Sequence, residues 1–223
     1  MEKKVKNVKE EVKETKKKGM NLPNKITCIR LVLAIVVLLL LCLPWSSLGW
    51  SDEARKTMVM GQEIDFVMII AGVLFAVASF TDFLDGYIAR KNNIVTDFGK
   101  VMDAIADKVL VNGVLILLAT PMWNIIPTAI VPVIIITRDI AVDSIKMVSG
   151  SKGKVVAASW PGKIKTICMM IGVTLAMFYN MPFAFIGNGI HIDYLFIGAA
   201  VVMSIVSGVQ YFMANKEVIF NEM

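Results

Sequence analysis

The chain has 223 residues, 57% of them hydrophobic, with a mean hydropathy of +0.69. That composition excludes an ordinary water-soluble domain, and apolar runs that are continuous rather than alternating exclude a transmembrane β-barrel. The net charge of +5 is concentrated in a few segments, so it informs membrane orientation; nucleic acid is not an expected partner.

In chain order, residues 1–20 form a lysine-rich arm, MEKKVKNVKEEVKETKKKGM. It reads as a solvated tail rather than as a helix lying on anionic lipid, because Val5, Val8 and Val12 make only a thin apolar stripe. It is long and charged and is not followed by a cleavage pattern, so it does not read as a secretory signal. Residues 21–223 are expected to form one membrane domain, since no polar interval is long enough to bury a core of its own. Six apolar spans are expected, at about Ile26–Leu43, Phe66–Phe83, Gly99–Ala119, Ile125–Val142, Ile164–Met181 and Ile192–Met213. The fold class is therefore all-α integral membrane protein with six transmembrane helices.

The loops fix the expected orientation. Pro44–Asp65 is the largest external segment, and its Trp45 and Trp50 suit an interfacial aromatic anchor. TPMWN, Thr120–Asn124, is the expected turn between spans three and four. GNGIHID, Gly187–Asp193, holds the single histidine, His191, which reads as a plain loop residue on the outer side. Arg90, Lys91 and Lys100, then Lys146, Lys152, Lys154, Lys163 and Lys165, then Lys216, mark the opposite side, which places both termini in the cytoplasm. Cys28, Cys42 and Cys168 form neither a CxxC pair nor a cluster with histidine, so they read as packing residues.

Between Thr81 and Val109 the chain carries five aspartates: Asp82, Asp85, Asp97, Asp103 and Asp107. Asp82 and Asp85 are three apart and Asp103 and Asp107 four apart, so each pair shares a helix face. A hairpin of spans two and three would bring the four together. Carboxylates packed beside a bilayer repel one another and are costly to desolvate, so they need cations. Oxygen donors without His or Cys suit Mg²⁺, Mn²⁺ or Ca²⁺, and two such ions could hold a diphosphate. Gly86, Ala89 and Gly99 would let a bulky group approach the backbone, and Arg90 adds a phosphate-directed charge. Asp97 lacks a partner at helical spacing and reads as a cap for span three.

The pattern D-x2-D-G-x2-A-R-x8-G-x3-D-x3-D is complete in Asp82, Asp85, Gly86, Ala89, Arg90, Gly99, Asp103 and Asp107. In it the chain resembles the CDP-alcohol phosphatidyltransferases. The resemblance implies a six-helix membrane enzyme, commonly a homodimer, that binds a CDP-linked lipid through Mg²⁺ or Mn²⁺, with two ions expected. It implies transfer of a phosphatidyl group to an alcohol with release of CMP. By position, Asp82, Asp85, Asp103 and Asp107 resemble the metal set, and Asp107 the general base. Gly86, Ala89 and Gly99 resemble the positions that pack on the cytidine nucleotide, with Asp85 and Arg90 beside them.

Thr137–Thr166 bears on the acceptor. Arg138 lies inside an apolar run and needs a partner, while Lys146, Lys163 and Lys165 sit near the same membrane face. Basic groups beside a metal site suit an anionic acceptor. This stretch, with Asn21–Arg30 (NLPNKITCIR), resembles the family members that use sn-glycerol 3-phosphate, in which an Arg-Glu pair, a later arginine and a G-K-x-K-T segment recur. Here the pair is Arg138–Asp139 and the later arginine is Lys146, which keeps the charge but lacks the two-pronged fork of a guanidinium. The resemblance assigns Arg138, Lys146, Lys163 and Lys165 to the acceptor phosphate, with Thr27 and Ser144 as further polar candidates, and CDP-diacylglycerol as donor. The competing readings are another acceptor (inositol phosphate, serine or phosphatidylglycerol), a cation channel or transporter, and an inactive lipid-binding scaffold. Carboxylates crowded at one end of the spans disfavour a channel.

Overall fold

The computed structural model describes residues 22–59, 62–91, 97–151, 159–181, 183 and 191–220. Among these are seven helices and one small hairpin. Helix α1 is Leu22–Cys42 and α2 is the short Asp52–Arg55. Strands β1, Lys56–Val59, and β2, Gln62–Asp65, pair antiparallel with Lys56 opposite Asp65. Then follow α3 (Phe66–Lys91), α4 (Asp97–Leu118), α5 (Ile130–Ser151), α6 (Trp160–Met177) and α7 (Ile192–Phe220).

Helix starts follow local chemistry. Asp65 accepts the Val67 amide at 2.8 Å and so caps α3. Ser159 accepts the Gly162 amide at 3.3 Å ahead of α6, with Pro161 in the first turn. The fourth expected span begins later than Ile125. Pro127 disfavours a helical conformation at Ile126, and Thr128 accepts the Ile130 amide at 3.2 Å, so α5 opens at Ile130. TPMWN is thus part of a longer connection. Within it the Trp123 indole donates to the Leu41 carbonyl at 2.9 Å, satisfying an orphan acceptor in the last turn of α1.

The six long helices pack as a ring in the order α1, α3, α6, α7, α5, α4 and back to α1. Helix α1 packs extensively on both α3 and α4, which touch each other little. Among the described residues the expected hairpin of spans two and three makes few direct contacts, and the first helix packs on both. Buried residues recur at helical spacing: Ala34, Val37 and Leu41 on α1; Met68, Ala71, Phe75 and Ala78 on α3; Met169, Val173 and Ala176 on α6. Small residues allow close approach. A Cβ on Gly172 would lie 2.8 Å from Ile197 Cγ1 and 3.0 Å from the Ile197 backbone nitrogen, so α6 and α7 meet almost backbone to backbone there.

The outward faces are apolar as well: Val32, Ile35 and Leu39 on α1, Ile70, Val73 and Phe80 on α3, and Val202 and Val209 on α7 are exposed. So much exposed apolar surface calls for an apolar surrounding, and the protein is membrane-associated. Asn24–Cys42 and Ile192–Lys216 are long and apolar enough to cross a bilayer, and Phe66–Asp82 is a shorter apolar run. α4, α5 and α6 carry charges within their length, among them Asp103, Asp107, Arg138, Asp139 and Lys165.

In the connection after α1, Trp45 and Trp50 lie with ring centroids 5.9 Å apart, and the Trp45 indole donates to the Leu40 carbonyl at 2.8 Å. His191 is exposed and stacks on Tyr194, as befits a loop residue.

Candidate active site

Asp82 lies nine residues before the end of α3, and Asp103 is the seventh residue of α4. Both carboxylates reach the guanidinium of Arg30 on α1. Arg30 is 1% exposed, so this ion triad is an internal polar link between the three helices that carry it, beside their apolar packing. Asp107 follows Asp103 by one turn and lines a crevice shared by α4, α5 and α6, with Lys108, Asp139, Lys165 and Thr166 among its walls. Gly86 and Gly99 are helical residues of α3 and α4. The side chains of Asp85, Ala89, Arg90 and Asp97 lie outside the described residues.

Asp82, Asp103 and Asp107 offer carboxylate oxygen only, a donor set that fits a hard divalent cation. Two of them converge on one cationic group from separate helices, so this neighbourhood already holds concentrated positive charge against them. Among the described residues, no three His, Cys, Asp or Glu side chains are close enough to form a complete ligand group.

The basic candidates occupy the adjoining half of the ring. Lys165, on α6 and mostly buried, places its ammonium 3.0 and 2.8 Å from the two oxygens of Asp139 on α5. Arg138 donates to Asp139 at 3.1 Å and to the Ser207 hydroxyl on α7 at 2.6 Å. Arg138 and Lys146 both lie over the Tyr211 ring, at 5.7 and 5.4 Å from its centroid. The Tyr211 hydroxyl accepts the Ser159 amide at 3.0 Å, tying the start of α6 to α7. Lys163 is exposed over Trp160. Ser144 is exposed and returns its hydroxyl to the Ile140 carbonyl at 2.9 Å. Thr27 is buried one turn before Arg30. Lys108 pairs with Asp143, joining α4 to α5.

The structure thus brings Asp107 and Lys165 to one crevice and Arg138 and Lys146 to one ring. It leaves Ser144 on the outer face of α5 and Lys163 beside Trp160. Arg30 and Tyr211 are the residues that the sequence reading does not single out. Arg30 carries the same signal as Arg138, a lone cation within an apolar run. Tyr211 carries none, since an aromatic in an apolar helix is ordinary core.

Residues 20–210 match the CDP-alcohol phosphatidyltransferase family. The chain belongs to that family. It is 37% identical over 203 residues to the CDP-diacylglycerol–glycerol-3-phosphate 3-phosphatidyltransferase of Bacillus subtilis (strain 168), covering 88% of this chain and 96% of the relative. It is 33% identical over 201 residues to the protein of the same name from Rickettsia typhi (strain ATCC VR-144 / Wilmington), covering 88% and 97%. Over a shorter stretch of 111 residues, 50% of this chain and 46% of the relative, it is 44% identical to the protein of that name from Mycoplasma genitalium (strain ATCC 33530 / DSM 19775 / NCTC 10195 / G37).

Proposed function

We propose that this chain is a phosphatidylglycerophosphate synthase, which transfers the phosphatidyl group of CDP-diacylglycerol to sn-glycerol 3-phosphate and releases CMP. Family membership and the names of relatives that match almost end to end support the reaction. The structural observation that carries it is the crevice in which Asp107 faces Lys165 and Asp139: a carboxylate able to take a proton beside a cation able to hold a phosphate.

In this reading the Asp107 carboxylate accepts the proton of the attacking acceptor hydroxyl. The freed oxygen attacks the lipid-side phosphorus, the bond from that phosphorus to the bridging oxygen breaks, and CMP leaves with the electron pair. Asp82, Asp85, Asp103 and Asp107 would hold Mg²⁺ or Mn²⁺, two ions in all, which when bound would offset the negative charge gathering on the CMP phosphate. Gly86, Ala89 and Gly99, matched to the family pattern, would give room to the nucleotide, and Arg90 would supply charge for its phosphates. Arg138, Lys146, Lys163 and Lys165 supply charge for the acceptor phosphate, with Thr27 and Ser144 as polar contacts. Asp139 serves this half of the site by holding Lys165 and Arg138 toward each other.

We further infer six transmembrane helices in a cell-membrane protein, with both termini and the active site facing the cytoplasm. Residues 1–20 form a basic arm, residues 21–223 the membrane domain, and two copies associate as a homodimer. Helix directions are consistent with this: Arg30 near the start of α1, Asp82 near the end of α3 and Asp103 near the start of α4 meet at one end of the ring.

The test is CMP release by purified protein given CDP-diacylglycerol and Mg²⁺, with and without glycerol 3-phosphate. Release that depends on glycerol 3-phosphate is expected. Release only with a different alcohol would move the chain to another acceptor class, and no release with any acceptor from folded protein would overturn the enzymatic reading.

A further inference from the structure

Arg30 has no task in the transfer reaction as described, yet among the described residues it is the most enclosed charged side chain of the aspartate half. Its guanidinium is 1% exposed and faces Asp82 from α3 and Asp103 from α4 at once. Those two carboxylates come from helices that touch each other little, and α1 fills the space between them. Asp82 and Asp103 are partly exposed, so the enclosed charge here is the guanidinium itself, and a buried cation stripped of its partners is costly. A guanidinium can serve two carboxylates because its donors form a planar fork. A divalent ion on the same oxygens is an alternative countercharge, and the two cations repel each other across a short distance.

The geometry points to Arg30 as a built-in countercation of the aspartate cluster: it holds Asp82 and Asp103 together before a divalent ion binds, then opposes that ion, and so sets the site's metal affinity. This rests on the metal-site reading of Asp82 and Asp103 given above. Arg30 is then a positioning residue acting through the carboxylates. A purely structural ion triad would stabilise the metal-free and metal-loaded protein alike. A competing countercation matters most when the metal is absent.

The experiment uses the full chain in detergent micelles, with Mn²⁺ as the probe. Free Mn²⁺ is followed by electron paramagnetic resonance, and thermal unfolding is recorded in EDTA and in saturating Mn²⁺. Arg30→Gln is expected to bind Mn²⁺ about tenfold more tightly than the wild type, an ordinary size for coupling between two competing events. Its melting temperature falls in EDTA and recovers in Mn²⁺ by more than the wild type gains. Arg30→Lys, which keeps the charge but loses the fork, shifts the affinity the same way by less, and decides the matter if Arg30→Gln does not fold. Unchanged or weaker Mn²⁺ affinity in the variants, or an equal loss of melting temperature with and without Mn²⁺, would overturn the proposal. A wild-type protein that binds no Mn²⁺ would remove the metal reading of the aspartates, and this proposal with it; wild-type binding beside an unchanged variant overturns this proposal alone.

Discussion

Lys165 and Asp139 form a buried, two-point ion pair across α5 and α6, with the ammonium 3.0 and 2.8 Å from the two carboxylate oxygens. The pair fixes the position of a cation that also lines the Asp107 crevice. Breaking one side of a buried pair leaves an uncompensated charge, which typically costs about 3–5 kcal/mol. Asp139→Asn is expected to destabilise the protein by about 3 kcal/mol, read as a lower denaturation midpoint in detergent. The double variant Asp139→Asn with Lys165→Met should lose less than the sum of the two single changes. Additive losses would show that the two side chains do not act as a pair.

Asp107→Asn keeps the shape of the crevice and removes the proton acceptor. Turnover is expected to fall by about 10²–10⁴-fold, the usual worth of a positioned general base, with the KM for CDP-diacylglycerol within a few-fold of the wild type. Steady-state CMP release at varied donor concentration checks this. Turnover like that of the wild type would take the base role from Asp107.

Arg138 reaches Asp139, Ser207 and the face of Tyr211, so its guanidinium is held at three points. Arg138→Ala is expected to raise the KM for glycerol 3-phosphate about tenfold or more, as loss of a charge-assisted contact does, and to leave the donor KM nearly unchanged. Equal effects on both substrates would place the acceptor phosphate elsewhere. Ser207→Ala removes only one of the three holds and should show the same pattern more weakly.

Gly172→Val tests the ring's packing rather than its chemistry. The added carbons would strike both the side chain and the backbone nitrogen of Ile197, and a backbone atom cannot step aside as a flexible side chain can. A loss of about 1–3 kcal/mol is expected, measured by thermal unfolding of the purified protein. Gly198→Ala, on α7 where an added Cβ meets no atom within 4 Å, is the matched control and should be close to neutral.

The aspartate half of the site was legible in the sequence because carboxylates at helical spacing stand out in an apolar chain. Its geometry was legible only in part. The three- and four-residue spacings put the pairs on helix faces, but sequence adjacency suggested that α3 and α4 pack on each other, whereas α1 lies between them. Nothing local to a helix says which non-adjacent helix it will meet. The β1–β2 hairpin was not legible either: its four-residue strands are too short for an alternating pattern to emerge, and charged residues stand at Lys56, Glu63 and Asp65. Of the acceptor candidates, Arg138 and Lys165 meet at Asp139, whereas the polar candidate Ser144 turns its hydroxyl back to its own helix.

The place of α1 in the ring has a consequence for biosynthesis. Helix α1 is made before α3 and α4, which both close on it, and it carries Arg30 ahead of the carboxylates of Asp82 and Asp103. An arginine in an apolar helix disfavours entry into a bilayer, by about 2.5–3.5 kcal/mol at the helix centre and by less toward an end, and Arg30 lies in the first half of α1. In a bilayer, α1 would therefore carry a handicap that the later-made Asp82 and Asp103 reduce. The order of synthesis and the order of docking are in this way coupled through one side chain.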